Sequence, residues 1–318
     1  ATNLGFIFID DASIEFVRTN QSLGYRYGLY WPRQVYGRLV EELAAQGVRA
    51  VALDIIFGEL RPDPLVQMAD GRFLESDEFF VLQMRRANNV ILAVPPDLTP
   101  PPLFLTNALA LGDISTHKDY FDGKLRRAQA FRVCRKWHFA FHQVAADPEL
   151  GVDLDQARLE SDQVVLPRHG ADDIKVPLDR EGNFDLADFG GENLPAGVAR
   201  KAKPFTEERL WQMGIVLAAQ ELALDLAKAE VDFKKGRITL RGADGVERVI
   251  PVDAEGCFFI DWSLPPNHPQ LTQEAIQGLL WHDRLRLDKL TNELKNLWNG
   301  KLVVVGSSAT GNDLTDRG

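Results

Sequence analysis

The sequence predicts an α/β fold with a mostly parallel or mixed central sheet, flanking helices and a duplicated helix and β-hairpin subdomain. Three observations carry that prediction. Short, mostly apolar runs alternate with amphipathic helical stretches from residue 4 to residue 94, a further apolar run returns at residues 301–305, and the middle of the chain repeats itself. Runs this short and this apolar suit strands buried on both faces, and their alternation with helices supplies the covering layers.

Residues 4–57 set the frame. Phe6, Ile7, Phe8 and Ile9 form a run that stops on Asp10 and Asp11, which reads as a buried strand. Pro32 fixes φ where a helix begins, and Val35, Leu39 and Leu43 recur on one stripe until Gly47. Residues 48–53 are a second apolar run, ended by Asp54. Strand–helix–strand crossovers are right-handed and join parallel strands. Asp10 and Asp54 are therefore expected at the same sheet edge, where open α/β sheets place their clefts. The turn IDDASIE holds no glycine, which argues against dinucleotide binding.

Beyond Asp54, Gly58, Pro62 and Pro64 predict a loop over that edge. Phe79, Phe80, Leu82 and Met84, opened by Ser76 and Asp77 and closed by Asn88 and Asn89, predict a helix, and NNVILAVP a third strand. From Leu109 the pattern predicts a strand pair around the turn Asp122–Gly123, read as an antiparallel addition to the sheet edge. The repeat follows. Pro177, Asp179, Glu181, Gly182 and Phe184 match Pro251, Asp253, Glu255, Gly256 and Phe258 at one offset, since 251 − 177 = 74. Each copy, about 139–190 and 213–264, reads as a helix and a β-hairpin whose Asp-x-Glu-Gly tip is better explained as turn chemistry than as a ligand site.

Residues 190–204 read as a linker. Residues 271–298 read as one long helix with Leu287, Leu290, Leu294 and Leu297 as a core stripe, ended by Gly300 before a last buried strand. The expected organisation is one domain, 1–318, with an α/β core from 1–135 and 265–318 and the duplicated insert at 136–264.

Composition narrows the function classes. The chain of 318 residues is 45% apolar and 26% charged, with a net charge of −10, so it is globular and an improbable partner for nucleic acid. Its apolar runs fall short of the roughly 20 residues of a membrane helix. Cys134 and Cys257 permit one disulfide or two buried thiols.

The candidate site is the acidic edge. If the strands ending at Asp10–Asp11, at Asp54 and at the 306–313 loop are neighbours, their carboxylates converge and repel unless a positive or proton-bearing group lies between them. A divalent cation held by Asp10, Asp54 and Asp313, the guanidinium of Arg33, or a polyhydroxyl ligand meets that need; helix and turn capping by each Asp is the competing reading. The loop GSSATG has the glycine spacing of a phosphate loop, but Asn312 and Asp313 stand where Lys and Ser or Thr are required. His138 and His142, with Phe139 and Phe141 between them, read as a core-edge pair rather than zinc ligands.

Taken in order, IDD (9–11), YWPRQVYGRLVEELAAQGVRAVALDIIF (30–57), NNVILA (88–93), LGDIS (111–115) with DGKLRR (122–127), VPLDREG (176–182) or IPVDAEG (250–256), and GKLVVVGSSATGND (300–313) with Asp316 resemble the class-two CHASE domain, a sensory extracellular domain associated with cyclases and histidine kinases. The resemblance covers nearly the whole chain. It implies an extracytoplasmic, periplasmic part of an inner-membrane receptor, joined through segments outside this sequence to a cyclase, kinase or diguanylate-cyclase output. It names no ligand. The family has one proline-led turn of this type where this chain has two.

The expectation is thus a sensor, not an enzyme by itself, that binds an unknown small molecule through Asp10, Asp11, Trp31, Arg33, Asp54, Ser307, Asn312 and Asp313 and works as a homodimer without a cofactor. The alternatives are a metal-dependent phosphoester hydrolase using Asp10, Asp54 and Asp313, and a protein-interaction or dimerisation module.

Overall fold

Every core strand read from the sequence enters one sheet. The computed structural model describes residues 3–310 apart from 24, 29, 69, 97, 120–121, 191–198, 266–267, 291–293 and 295. The sheet contains β1 (Leu4–Ile9), β2 (Ala50–Leu53), β3 (Val90–Val94), β4 (Ala110–Asp113), β5 (Thr272–Ala275) and β6 (Leu302–Ser307). Their order is β5-β1-β6-β2-β3-β4, and every pairing is parallel. Eight α-helices are described, of which six matter here: α1 (Asp11–Thr19), α2 (Arg33–Ala45), α3 (Ser76–Ala87), α4 (Phe139–Ala146), α5 (Met213–Leu222) and α6 (Ile276–Leu287).

Period-two alternation divides the sheet residues between two cores. Ile7, Ile9, Val51, Leu53, Val90, Leu92, Val303 and Val305 pack with Val17, Val35, Leu39, Leu43, Phe80, Met84 and Leu280 of the helices α1, α2, α3 and α6. The opposite face carries small residues, Ala50, Ala52 and Ala93, and meets Ile215, Val216 and Leu217 of α5. That helix comes close. A Cβ on Gly112 would stand 2.7 Å from Cβ of Met213, so glycine is required where β4 runs under the start of α5.

Two expectations are corrected. The stretch after Leu109 joins the sheet edge in parallel, because the helical turn Pro102–Leu105 carries the chain back to the sheet's starting end before β4. The hairpin around Asp122–Gly123 pairs His117–Lys118 with Leu125–Gln129 instead. Residues 271–298 are not one helix. Thr272–Ala275 pairs with β1 as an edge strand, and α6 ends at Leu287, just before Lys289 takes a left-handed φ of 61°. Leu287, Leu290 and Leu297 are exposed rather than a core stripe, and Ile276, Leu279, Leu280 and Trp298 do the burying.

The described chain divides into two units, Ala1–Arg132 with Leu210–Gly318, and Val133–Arg209. Each contains one helix and three-stranded meander built alike. In the first, α5 leads into Leu224–Asp232, Arg237–Gly242 and Glu247–Pro251; in the second, α4 leads into Arg158–Leu159, Gln163–Leu166 and Ile174–Pro177. Arg237 pairs with Pro251 as Gln163 pairs with Pro177, the same register at the 74-residue offset.

The turns are equivalent too. Asp253 Oδ1 accepts the backbone N–H groups of Glu255 and Cys257 at 3.0 and 2.9 Å, and Asp179 Oδ1 accepts those of Glu181 and Asn183, both at 2.9 Å. These local bonds are the turn chemistry that the Asp-x-Glu-Gly pattern suggested.

The likeness reaches further upstream than the sequence shows. Cys257–Phe259, after the second copy's turn, pairs with Leu125–Gln129, which precedes the first copy; Phe184–Asp185, after the first copy's turn, pairs with Lys201–Ala202, which precedes the second. Arg127 meets Asp253 and Lys201 meets Asp179, each at 2.9 Å. Phe131 packs on Trp211 with ring centroids 4.9 Å apart, and Trp137 on Phe205 at 5.0 Å. Each unit thus combines one repeat copy with a strand that lies N-terminal to the other copy. Cys134 and Cys257, in different units, are not joined in a disulfide.

Candidate functional site

The parallel register brings three strand ends together. β6 lies between β1 and β2, with Ile9 opposite Ser307 and Leu53 opposite Val305. Asp10 and Asp11 therefore leave the sheet beside Ser307, and Asp54 leaves it on the other side of the same strand.

The three acids have different duties. Asp10 caps α1: its Oδ1 accepts Ser13 N at 2.7 Å and Ser13 Oγ at 2.6 Å, while its own N–H reaches back to Ser13 Oγ at 3.3 Å. Asp11 holds the last loop, accepting Thr310 N at 3.2 Å and Thr310 Oγ1 at 3.0 Å. Ser307 Oγ donates to Ile9 O at 3.4 Å and accepts Ala309 N at 3.3 Å, and Ser308 N donates to Ile9 O at 3.0 Å. Asp54 is the uncommitted group. Its N–H donates to Val305 O at 2.8 Å, but among the described residues its carboxylate accepts no hydrogen bond.

The Asp54 side chain reaches solvent, yet the protein crowds its carboxyl enough that desolvation pushes its pKa above the usual carboxylate value. Gly306 is its neighbour on β6: a Cβ there would make ordinary contact with Asp54 Oδ2 at 3.8 Å. A carboxylate partly stripped of water and lacking an internal donor gains from an incoming donor or cation.

Trp31 and Arg33 take another role. Trp31 is buried and packs on Tyr36, ring centroids 6.2 Å apart. Arg33, expected to line the cleft, is 0% exposed. Its guanidinium lies over Phe57 and Phe104 at 5.1 and 5.9 Å, donates from Nη2 to Glu59 O at 2.9 Å and sits 3.7 Å from Asp77 Oδ1. The Trp-Pro-Arg and Asp-Ile-Ile-Phe segments thus fasten the start of α2 to the loop after β2. The charge of Arg33 is answered inside the protein. Asn312 and Asp313 lie outside the described residues.

One residue of this edge escaped the sequence reading. Asp113 ends β4 as Asp54 ends β2, and it is buried, accepting Ser115 N at 3.1 Å and Ser115 Oγ at 2.5 Å beside Arg132 Nε at 3.0 Å. The signal was there in LGDIS, an apolar run closed by an acid.

Asp253, Glu255 and Cys257 bring possible metal-ligand atoms within 4.8 Å of one another. Asp253 is already engaged on both oxygens, by backbone N–H groups and by Arg127. His138 caps α4 through Nδ1 to Ala140 N at 3.3 Å, and His142 is exposed.

A family model, the CHASE2 domain, matches residues 4–316. No curated protein and no solved structure matches the chain.

Proposed function

The chain belongs to the CHASE2 domain family, a family of extracellular sensory domains of signalling receptors, and on that premise we propose that it binds a small ligand at the carboxyl edge of its sheet and passes the event to a cytoplasmic output. The observation that carries the site is Asp54, a crowded carboxylate with no internal hydrogen-bond donor among the described residues, beside Gly306 of β6. Asp10 and Asp11 shape the rim by fixing the start of α1 and the 307–310 loop. Such a rim suits a ligand that brings donors or positive charge, such as an amine or a polyhydroxyl compound. The output is a cyclase, kinase or diguanylate cyclase, and the compartment is the periplasmic side of an inner membrane. No helix among the described residues is long and apolar enough to cross a membrane. Binding acts by favouring one of two arrangements of the domain or its dimer.

A thermal-shift screen of small amines, sugars and organic acids, followed by calorimetry on each hit, tests the site. Asp54→Ala is expected to weaken the hit at least tenfold, the loss of about 1.4 kcal/mol that one charge-assisted hydrogen bond supplies. Unchanged affinity would remove Asp54 from the site.

A second reading, a homodimerisation module, has its own observation: Trp281, Leu287, Leu290 and Leu297 are exposed on and after α6. Sedimentation equilibrium of the domain decides it, with a monomer at micromolar concentration counting against this face.

A further inference from the structure

We propose that the buried charge network between α2 and α6 is a proton-sensing site, in which a single proton on Asp283 sets how Arg38 couples the two helices. Asp283 sits in the middle of α6 and is 5% exposed. The charged and titratable groups facing it are Arg38, Glu41 and Glu42 of α2, Arg286 of its own helix, and Tyr25 from the segment between α1 and α2. β1 contributes none, and Glu274 of β5 is engaged by Trp298 Nε1 at 2.9 Å.

Half of this network is closed. Glu42, fully buried, accepts Arg286 Nε at 2.5 Å and Nη2 at 3.3 Å, and the Gln46 side-chain amide at 2.7 Å. Arg38 serves what remains. Its Nη1 lies 3.3 Å from Glu41 Oε2, its Nε lies 3.9 Å from Asp283 Oδ2, and its guanidinium stands 4.7 Å over the Phe79 ring of α3. The Asp283 distance is too long for a hydrogen bond, and among the described residues Asp283 accepts none.

Three carboxylates therefore meet two guanidiniums, and one proton makes the network neutral. The proton belongs on Asp283, because a buried carboxylate without donors is the costliest of the three to ionise. Desolvation accordingly pushes its pKa up to about 7. Tyr25 is pushed the other way from use, its phenol raised further above its ordinary value by burial and by Asp283.

With the proton on, Arg38 stays stacked on Phe79 and paired with Glu41. With it off, the new buried anion draws Arg38 from that position and the α2–α6 packing readjusts, so that near-neutral pH becomes an input to the sensor. The inference uses the sensory reading only for its meaning; it is independent of any ligand at Asp54, and failure of that site leaves it standing.

Infrared titration of the whole chain is the first test, since it needs no variant: a protonated-carboxyl C=O band is expected to vanish with a midpoint at about pH 7. Hydrogen exchange of α6 amides at pH 6 and pH 8, corrected for intrinsic rates, is the second, with about a tenfold loss of protection expected at the higher pH in the wild type and none in Asp283→Asn. A wild type with no carboxyl titrating between those pH values, or a folded Asp283→Asn protein that keeps the same midpoint, overturns the proposal.

Discussion

Asp10, Asp54 and Asp283 show how one residue type is put to three uses by its surroundings. Asp10 is a structural cap, its Oδ1 committed to Ser13 N and Oγ. Asp10→Ala is expected to lower stability by about 1 kcal/mol, with Asp10→Ser recovering most of it, as thermal unfolding will report. Asp283 governs the pH profile of stability. Its folded carboxyl keeps a proton up to about 7, whereas the unfolded chain releases it near the ordinary 3.8. The folded state thus binds more protons between those values, and stability falls as pH rises through that window and levels off above it, by at most on the order of 4 kcal/mol. Urea unfolding from pH 4 to pH 8 checks the sign, and Asp283→Asn should flatten the profile. Asp54, also raised, adds in the same direction.

At the scale of elements, the repeat units test the geometry most sharply. Gly256 holds φ at 82° in the second turn, where an added Cβ would also meet the Phe233 ring at 3.0 Å. Gly256→Ala should cost roughly 1–2 kcal/mol, more than Gly182→Ala, whose φ of 74° is similar but whose Cβ would face only the mobile end of Lys203 at 3.5 Å. Much of this level was legible in the sequence, because the apolar runs and the Asp-x-Glu-Gly turns are local signals. What was not legible depends on partners far along the chain. Nothing between residues 271 and 276 announces that Thr272–Ala275 will pair with β1, and the helical period continues past the point where Lys289 turns left-handed. The pairing of Leu125–Gln129 with Cys257–Phe259 is likewise set by a strand far along the chain.

For the molecule as a whole, the parallel sheet explains why the acidic edge could be located early and described only late. Right-handed crossovers place Asp10 and Asp54 at one edge from sequence alone, but the insertion of β6 between β1 and β2 is a long-range choice, and only that insertion sets Ser307 between them. A buried guanidinium and a ligand-gripping one look alike in sequence, and only the fold shows Arg33 enclosed by Phe57, Phe104 and Asp77. Asp283 gave no signal, since HDRLR on a helix reads as a solvated face. The central claim, that a ligand at the Asp54 edge drives the receptor, is tested most directly in membranes carrying the intact protein, by measuring output activity against ligand dose for wild type and Asp54→Asn. The variant's dose response is expected to shift at least tenfold, about 1.4 kcal/mol, with its maximal output unchanged; a variant that responds at the wild-type dose contradicts a ligand site at Asp54.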